Sequence, residues 1–259
     1  MDLLYLRVYG DLNDFLPPDR RQRTFSHPHH GRRSVKDLLE AVGLPHPEIG
    51  LILVDGEPVD FDHTVEPGQR ISVFPPFQSV ERVAFPRLRP PLQGRPKFVL
   101  DVHLGQLARY LRMLGFDVLY SNDEEDRALA RRADVEDRIL LTRDRNLLKH
   151  KRVHFGRYVR SPDPRQQLLD VMRRYDLLSD IDPFTRCLSC NGLLQEADPN
   201  HVESRVPPDA RREYDEFQVC QQCGNVYWSG SHVEAMKGLI EDVKHQLSAD
   251  SGLSSEADG

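Results

Sequence analysis

The sequence lacks the apolar runs and the leader segment that would place a chain in or across a membrane. No apolar stretch approaches the ~20 residues that a transmembrane helix requires. Residues 1–7 show no basic segment followed by an apolar core, so we expect a cytoplasmic location and no membrane partner. The net charge of −6 at pH 7 argues against a protein whose whole surface binds polyanions.

Cysteine is scarce, and its four copies form two short pairs, Cys187-x-x-Cys190 and Cys220-x-x-Cys223. Each pair is followed by a glycine and an asparagine, which tolerate tight turns. The alternatives are two disulfides, which a cytosolic chain disfavours, or a redox motif, which needs only one pair. We therefore predict a structural zinc ion with four thiolate ligands and no open coordination position.

Acidic residues stand where two predicted strands end and where a predicted helix begins. One strand ends at Asp101, a later strand leads into Asp144, and residues 123–126 are all acidic. Ligands of an open parallel α/β sheet bind outside the carboxyl ends of its strands, and converging carboxylates need a cation between them. The pattern therefore predicts a divalent-metal site suited to phosphodiester hydrolysis. Helix capping and the helix dipole remain an alternative explanation for each acid at a helix start.

Positive charge is concentrated next to these acids. Residues 127–160 contain eleven Lys or Arg and four acids, a local excess of +7 in a chain that is negative overall. A bias of this size beside candidate metal ligands indicates a track for a polyanion. The alternative is a set of solvated helix faces.

The chain divides into five parts by composition and pattern. Residues 78–96 are proline-rich and read as a semi-rigid linker. Residues 97–180 alternate strand and helix, which predicts a parallel sheet with helices on its faces. The cysteine pairs define a zinc ribbon at 181–240. Residues 241–259 read as a helix end and a tail that is disordered from Ser248 onward.

The pattern of residues 1–77 predicts, in order, two strands, a helix and further strands, with Ser34 as the helix N-cap. This order resembles a ubiquitin-like β-grasp, and the phrases around residues 54–59 and 67–76 resemble its sulfur-carrier branch. A carrier needs a free Gly-Gly end, whereas this strand runs into the linker. We therefore expect a module that positions the protein through RNA or a protein partner without cleaving bonds. For its arginines and histidines at 20–33, RNA contact and a solvated loop both stay open.

The middle and last parts together resemble a known nuclease family. The motifs that carry the resemblance are Phe98-Val99-Leu100-Asp101 with Leu104-Gly105-x-Leu107-Ala108-Arg109-x-Leu111-Arg112-x-Leu114-Gly115, then Arg138-Ile139-Leu140-Leu141-Thr142-Arg143-Asp144, then the four cysteines followed by Tyr227-Trp228-x-Gly230-Ser231-His232. They are similar to the Mut-seven C-terminal RNase family, a branch of the PIN-like nucleases. The match covers roughly residues 97–240, and bacterial members can carry a ubiquitin-like module in front.

The resemblance implies a PIN-like fold and metal-dependent cleavage of RNA. Asp101 and Asp144 match the strand-end acids of the family, and Asp126 matches the helix-start acid, with Glu125 as the competing residue. We expect the three aspartates to bind one or two Mg²⁺ or Mn²⁺ ions. Positively charged side chains would hold the flanking phosphates; these are Arg112, Arg143, Arg145 and Lys149.

One departure from the family pattern keeps a second function open. PIN nucleases often have a fourth acid after the third, and Asn146 stands there instead, without a negative charge. Asn146 favours the alternative of a non-catalytic RNA-binding or adaptor protein that uses the zinc ribbon and the β-grasp module. A metal-dependent phosphatase is disfavoured, because the sequence Asp101-Val102-His103 lacks the Asp-x-Asp nucleophile motif.

Overall fold

The computed structural model describes residues 2–76, 88–89, 91–92 and 94–253. The strands in these residues are β1 (Leu3–Val8), β2 (Phe25–Pro28), β3 (Leu51–Val54), β4 (Glu57–Pro58), β5 (Arg70–Phe74), β6 (Lys97–Leu100), β7 (Asp117–Tyr120), β8 (Arg138–Thr142), β9 (Gly156–Tyr158), β10 (Leu194–Ala197), β11 (Phe217–Cys220) and β12 (Val226–Trp228). The helices are α1 (Val35–Ala41), α2 (Gly105–Met113), α3 (Asp126–Val135), α4 (Arg145–Leu148), α5 (Pro164–Tyr175), α6 (Pro199–Val202), α7 (Pro208–Glu213) and α8 (Ser231–Leu253).

The chain forms two compact units. The first contains residues 1–94 and 125–159, and the second contains residues 95–124 and 160–259. Most of the predicted linker, residues 78–96, lies outside the described residues. No helix of the described part of the chain is both long and apolar enough to cross a lipid bilayer.

The N-terminal sheet of the first unit has the strand order β2-β1-β5-β3-β4. Strand β1 runs parallel to β5, and the other neighbours are antiparallel. Alternate residues of β1 are buried with one face of α1 in a common core, because a strand turns every second side chain to the same face. Ser34 caps α1 by accepting a hydrogen bond from the amide of Asp37 at 3.1 Å. This mixed sheet with one packed helix confirms the predicted β-grasp arrangement.

The same unit contains the second half of the predicted α/β part. Strands β8 and β9 are parallel, with Leu140 opposite Gly156 and Thr142 opposite Tyr158. All five residues of β8 are buried, and α3 packs beside this strand. A strand that is buried along its whole length, with Ile139, Leu140 and Leu141 in succession, is typical of a strand covered on both faces, so the predicted parallel class is confirmed.

A buried ion cluster joins β9 to the N-terminal sheet region within this unit. The Nη1 atom of Arg157 lies 2.7 Å from carboxylate oxygens of both Asp11 and Glu48. The other oxygen of Glu48, whose side chain is 0% exposed, accepts a hydrogen bond from the backbone amide of Tyr158. Burial alone would lower the pKa of Arg157, but Glu48 and Asp11 raise it above its ordinary value, so the guanidinium stays charged.

The linker end is also fixed on this unit. The guanidinium of Arg89 donates hydrogen bonds to the backbone carbonyls of His46, Pro47 and Ile49. Next to it, Leu88 packs against the N-terminal core. Residues 88 and 89 are therefore part of the first unit.

The second unit contains the start of the α/β part. Strands β6 and β7 are parallel, with Lys97 opposite Asp117 and Leu100 opposite Tyr120. Helix α2 connects them and packs on β7 and α5 with its predicted apolar face. Helix α5 begins at Pro164, directly after its predicted cap Asp163, whose side chain accepts from the amide of Gln166 at 2.8 Å.

Gly115 ends α2 with a positive φ of 88°. A Cβ atom at this position would collide with the carbonyl oxygen of Asp182, which belongs to the first residues of the ribbon part. The amide of Asp182 in turn donates to the carbonyl of Leu114 at 3.0 Å. Glycine is therefore required both by the backbone angle and by the close approach of the ribbon.

The ribbon consists of the antiparallel sheet β10-β11-β12 and is followed by α8. Helix α8 packs on α5, where Arg165 forms an ion pair with Asp242 at 2.8 Å. The helix continues to Leu253 and so extends past Ser248, the predicted start of the disordered tail. Residues 254–259 lie outside the described residues, and the disorder of the tail stays a prediction.

Replacing Glu48 with Gln should destabilise the protein because it leaves Arg157 with one carboxylate in a buried position. Removing one partner of a buried pair costs about 3 kcal/mol, and the glutamine still accepts from the Tyr158 amide. The free energy of unfolding of the full chain, measured by urea denaturation, checks this. Glu57→Gln, the same change at an exposed position, is the control. Equal stability of the two variants would show that the ion cluster does not hold this unit together.

Candidate functional site

Asp101 follows the last residue of β6 and caps the short 3-10 turn that comes next. Its Oδ1 atom accepts a hydrogen bond from the backbone amide of His103 at 2.8 Å, and the residue is 5% exposed. This hydrogen bond fixes the orientation of the carboxylate at the end of the strand. The structure thus places Asp101 at the strand end that the sequence predicts.

Asp144 has the same arrangement two residues after the end of β8. Its Oδ1 atom accepts from the backbone amide of Asn146 at 2.7 Å, and its own amide donates to Oγ1 of Thr142 at 2.8 Å. Both strand-end aspartates are therefore N-caps whose carboxylates bond the amide two residues further along the chain. Asn146 itself takes part through its backbone, and its side chain is exposed.

Asp126 is the first residue of α3 and is exposed. Glu125, the competing residue, occupies the N-cap position but makes no side-chain capping bond among the described residues. Negative charge at this end of a helix is favoured by the helix dipole. Both acids stand at the predicted helix start, and the choice between them stays a prediction.

The three aspartates belong to different compact units, Asp101 to the second and Asp126 and Asp144 to the first. Within the described part of the chain, the cysteine cluster is the one group of three or more His, Cys, Asp or Glu side chains whose ligand atoms lie close enough to share an ion. Carboxylate oxygens are the donors that Mg²⁺ and Mn²⁺ prefer, so the chemistry of the three acids fits these ions. Their coordination of a common metal stays a prediction.

Arg145, which we expect to hold a phosphate, contacts residues of the N-terminal region in the same unit. Its guanidinium carbon lies 5.2 Å from the ring centres of both Phe15 and Tyr158, and its Nη2 atom donates to the carbonyl of Asp14 at 3.2 Å. Cation–π contact with both rings restricts the position of the guanidinium. The other N–H groups of the side chain remain donors, since a guanidinium has five.

The two neighbouring cations differ in their contacts. Lys149 donates from Nζ to the carbonyl of Glu40 at 3.1 Å, which uses one of its three N–H bonds. Arg143, directly after β8 and next to Asp144, is half-buried. The basic residues after β8 therefore combine contacts to the N-terminal region with a position beside a candidate metal ligand.

Arg112, the fourth predicted phosphate contact, is 4% exposed and joins α2 to the ribbon. Its Nε and Nη2 atoms donate to the carbonyl of Val118, and Nη1 donates to the carbonyls of Leu188 and Ser189. Burial lowers the pKa of Arg112, while the nearby Cys187 acts in the opposite direction. The side chain thus serves the junction between the α/β part and the ribbon.

The four cysteines converge as predicted. Their Sγ atoms all lie within 4.8 Å of one another; the Cys187–Cys223 distance is 3.6 Å and the Cys190–Cys220 distance is 3.4 Å. Tetrahedral zinc with bonds of ~2.3 Å places its sulfur ligands ~3.8 Å apart. All four thiols are free of disulfides. This cluster could therefore bind a zinc ion.

Each cysteine pair lies on a turn of the predicted kind. The residue after the first pair, Asn191, has a φ of 72°, and the residue after the second, Gly224, has a φ of 76°. The amide of Asn191 bonds the carbonyl of Cys187 at 3.0 Å, and the amide of Gly224 bonds the carbonyl of Cys220 at 3.0 Å. The two turns are thus equivalent, and each directs two sulfur atoms to one point.

Tyr227 supports the cluster from β12. Its hydroxyl lies 3.1 Å from Sγ of Cys187 and accepts from the amide of Leu188 at 3.2 Å. Burial, and then the hydrogen bond with Cys187, raises the pKa of Tyr227 to about 12, so the hydroxyl stays protonated and donates to sulfur. This residue, identified in the sequence only as part of the tail motif, stabilises a thiolate ligand.

Sequence reasoning missed the second function of Asn191. Its Oδ1 atom accepts from the amide of Val118 at 2.9 Å, and its Nδ2 atom donates to Oδ1 of Asp117 at 2.9 Å. Arg186 adds an ion pair to Asp117 at 3.6 Å. The turn that holds the cysteines is therefore also fixed to β7. The signal in the sequence, an asparagine after a cysteine pair, indicates the turn but gives no information about the partner strand.

Comparisons with known proteins identify both parts of the chain. A family model described as "Mut7-C RNAse domain" matches residues 96–240, and one described as "Mut7-C ubiquitin" matches residues 1–81. No curated protein and no solved structure matches the chain.

Protein purified without chelators should contain one zinc ion per chain, measured by elemental analysis. Cys187→Ser should lose the metal and, because metal binding free energy contributes to folding, expose the ribbon amides to hydrogen exchange. Ser189→Ala, an exposed residue between the first two ligands, is the control and should retain both. Protein without zinc, or a Cys187→Ser variant with full zinc content, would contradict a four-cysteine zinc site.

Proposed function

Because the chain belongs to the Mut7-C RNase family, we propose that it is a metal-dependent ribonuclease that hydrolyses phosphodiester bonds of RNA. The family match covers residues 96–240, more than half of the chain, and supports a nuclease-like activity. The ubiquitin-like match at residues 1–81 is consistent with a region for partner interactions in front of the nuclease. The use of metal and the residues that perform the chemistry are our inference.

The observation that carries the proposal is the pair of capped aspartates at the carboxyl ends of two strands. Asp101 after β6 and Asp144 after β8 each use Oδ1 to accept a backbone amide. A carboxylate has about four lone-pair directions, so the capping bond of Asp144 leaves acceptor capacity for a cation. The cap holds the side chain in place before a metal binds, which lowers the entropy lost on binding.

We infer that Asp101, Asp126 and Asp144 hold Mg²⁺ or Mn²⁺. When bound, such an ion supplies an activated water and neutralises charge on the scissile phosphate. The carboxylates contribute the negative charge that retains the ion, and capping bonds fix the orientation of two of them, Asp101 and Asp144. Asn146, next to Asp144, offers an amide oxygen that could hold a water molecule without adding charge.

Phosphate binding is assigned to the basic residues that follow β8. Arg143 is adjacent to Asp144 in the chain, and Arg145 and Lys149 keep free N–H donors beyond their contacts to Asp14 and Glu40. Guanidinium groups bind phosphate oxygens through paired hydrogen bonds. Arg112 is not included, since its guanidinium is buried at the ribbon junction.

Purified protein should cleave single-stranded RNA when Mn²⁺ is present, and Asp101→Asn and Asp144→Asn should each lower the rate by ~10²-fold or more. Loss of metal-derived stabilisation worth several kcal/mol gives a change of this size. Asparagine caps a helix about as well as aspartate, so the two variants should keep their fold. The rate of cleavage of a labelled RNA is the measurement.

The matched control is Asp163→Asn, the same change at the cap of α5, where no catalytic role is proposed. Undiminished cleavage by Asp101→Asn and Asp144→Asn would rule out this assignment. Mn²⁺ binding by the wild type separates the alternatives. RNA binding without Mn²⁺ binding or cleavage would instead support the non-catalytic adaptor function that Asn146 favours.

A further inference from the structure

We propose that residues 20–36 of the N-terminal β-grasp domain form a binding surface for the phosphate backbone of single-stranded RNA, here called the basic edge. This segment contains six Lys or Arg, three His and no acid, in a chain whose net charge is −6. Its charged and titratable residues are Arg20, Arg21, Arg23, Arg32, Arg33 and Lys36, with His27, His29 and His30. The choice of RNA as the ligand rests on the proposed function.

The segment lies at the border of the sheet. Strand β2 is the first in the order β2-β1-β5-β3-β4, so within this sheet it pairs only with β1. Arg20, Arg21 and Arg23 precede β2, Arg32 and Arg33 follow it, and Lys36 lies in the first turn of α1. Positive charges that flank an edge strand disfavour its pairing with other strands, and the unpaired border of β2 stays available to an anion.

The fold brings cations from the two turns onto one surface. Arg20, before β2, packs its guanidinium 5.3 Å from the ring centre of Phe25. Burial, and then the positive charges of Arg33, Arg20 and His30, lowers the pKa of His27, which lies on β2 between them. Residues at both ends of the segment therefore act on the same side chain. The positive charge is concentrated in space as well as in sequence.

These charges have no carboxylate partners in the described part of the chain. Arg21 donates to the carbonyl of Leu16 at 2.8 Å and Lys36 lies 6.0 Å from the ring of Phe61, contacts that position the side chains without neutralising them. Some cations in other parts of the chain do have carboxylate partners, for example Arg157 with Glu48 and Arg165 with Asp242. Unpaired like charges repel one another, and a polyanion would remove that repulsion.

The neighbouring strand adds a feature that favours a nucleic acid over an acidic protein. Tyr5 on β1 is 40% exposed and stands opposite Ser26 of β2 in the antiparallel register. On the same face of β1, Arg7 lies 5.5 Å from the ring centre of Tyr9. Surfaces for single-stranded nucleic acids combine cations for the backbone with exposed aromatic rings for the bases. The turns that flank β2 supply the cations, and Tyr5 supplies an exposed ring on the sheet face that Ser26 shares and from which Phe25 and His27 point away.

The test is the salt dependence of RNA binding by the full chain, without added Mg²⁺ or Mn²⁺ so that cleavage does not contribute. Each phosphate contact to a single strand contributes ~0.7 to the slope of log affinity against log salt. The triple variant Arg23→Ala, Arg32→Ala, Arg33→Ala should therefore lower the slope by about 2. When salt is raised from 50 to 200 mM, the factor by which RNA affinity falls should be roughly 20 times smaller for this variant than for the wild type.

The matched control removes three cations elsewhere: Arg212→Ala, Lys237→Ala, Lys244→Ala. These exposed side chains form i,i+3 ion pairs on α7 and α8, and their loss changes the net charge by the same amount. The control should keep the wild-type slope. Equal slopes for the two triple variants would overturn the basic edge, because net charge alone would then explain the binding.

Two further outcomes are decisive. If poly-glutamate displaces RNA at equal charge concentration, RNA is the wrong ligand for the basic edge and an acidic protein is favoured. Cleavage is measured separately on the wild type with Mn²⁺. If the two triple variants differ in salt slope but the wild type does not cleave RNA, the basic edge is supported and the proposed nuclease activity is contradicted. If the protein cleaves RNA but the two triple variants have equal salt slopes, the basic edge is contradicted and the proposed nuclease activity is supported.

Discussion

A buried guanidinium group must keep its charge and most of its N–H donors satisfied, and this requirement determines how segments are joined in both compact units. In the first unit Arg157 is satisfied by the carboxylates of Glu48 and Asp11. In the second unit Arg112 is satisfied by backbone carbonyls from β7 and from the first cysteine turn. Each arginine therefore connects segments that are distant in the sequence, and each would be costly to bury if its partners were absent.

The two kinds of partner, carboxylates for Arg157 and carbonyls for Arg112, are associated with opposite shifts of the arginine pKa. Carboxylate partners raise the pKa of Arg157, whereas the carbonyl partners of Arg112 carry no charge and burial lowers its pKa. The nearby thiols of Cys187 and Cys190 act to raise the pKa of Arg112. A zinc ion with four thiolates has an excess of negative charge, so Arg112 would help to balance it. The packing of the ribbon and the charge of its metal site are thus coupled through one side chain.

Local signals in the sequence predict much of the fold. The cap and proline at Asp163-Pro164 give the start of α5, Ser34 gives the start of α1, and the two cysteine pairs give the ribbon turns. In each case the interaction joins residues only a few positions apart, so the pattern contains both partners. The strand-end aspartates belong to the same class, because their capping bonds reach only two residues.

Long-range partners explain what the sequence did not predict. Arg112 donates to Ser189 and Arg157 to Glu48, and nothing near either arginine in the sequence identifies its acceptor. On a helix such as α2, an arginine beside leucines is equally compatible with a solvent-facing cation and with a buried anchor. The role of a cation depends on which acceptors the fold brings to it.

The capped aspartates show that a structural and a functional role need not compete. The capping bond of Asp101 or Asp144 engages one lone pair of Oδ1 and fixes the carboxylate at the end of a strand. Helix capping, the alternative to metal binding in the sequence, is therefore also a means of positioning a metal ligand. This is why a change to asparagine is informative: it keeps the amide acceptor and the cap and removes the negative charge.

The N-terminal domain is more than a tethered module, because it shares a compact unit with residues 125–159. It supplies the carboxylates around Arg157, the ring of Phe15 beneath Arg145 and the carbonyl that accepts from Lys149. Removing it would leave a buried cation unpaired and would free two of the cations assigned to phosphate. The sequence alone gives no sign that the domain expected to position the nuclease also supports the basic residues after β8. The contacts of Arg145 and Lys149 join them, since the same domain that carries the basic edge also orients side chains beside Asp144.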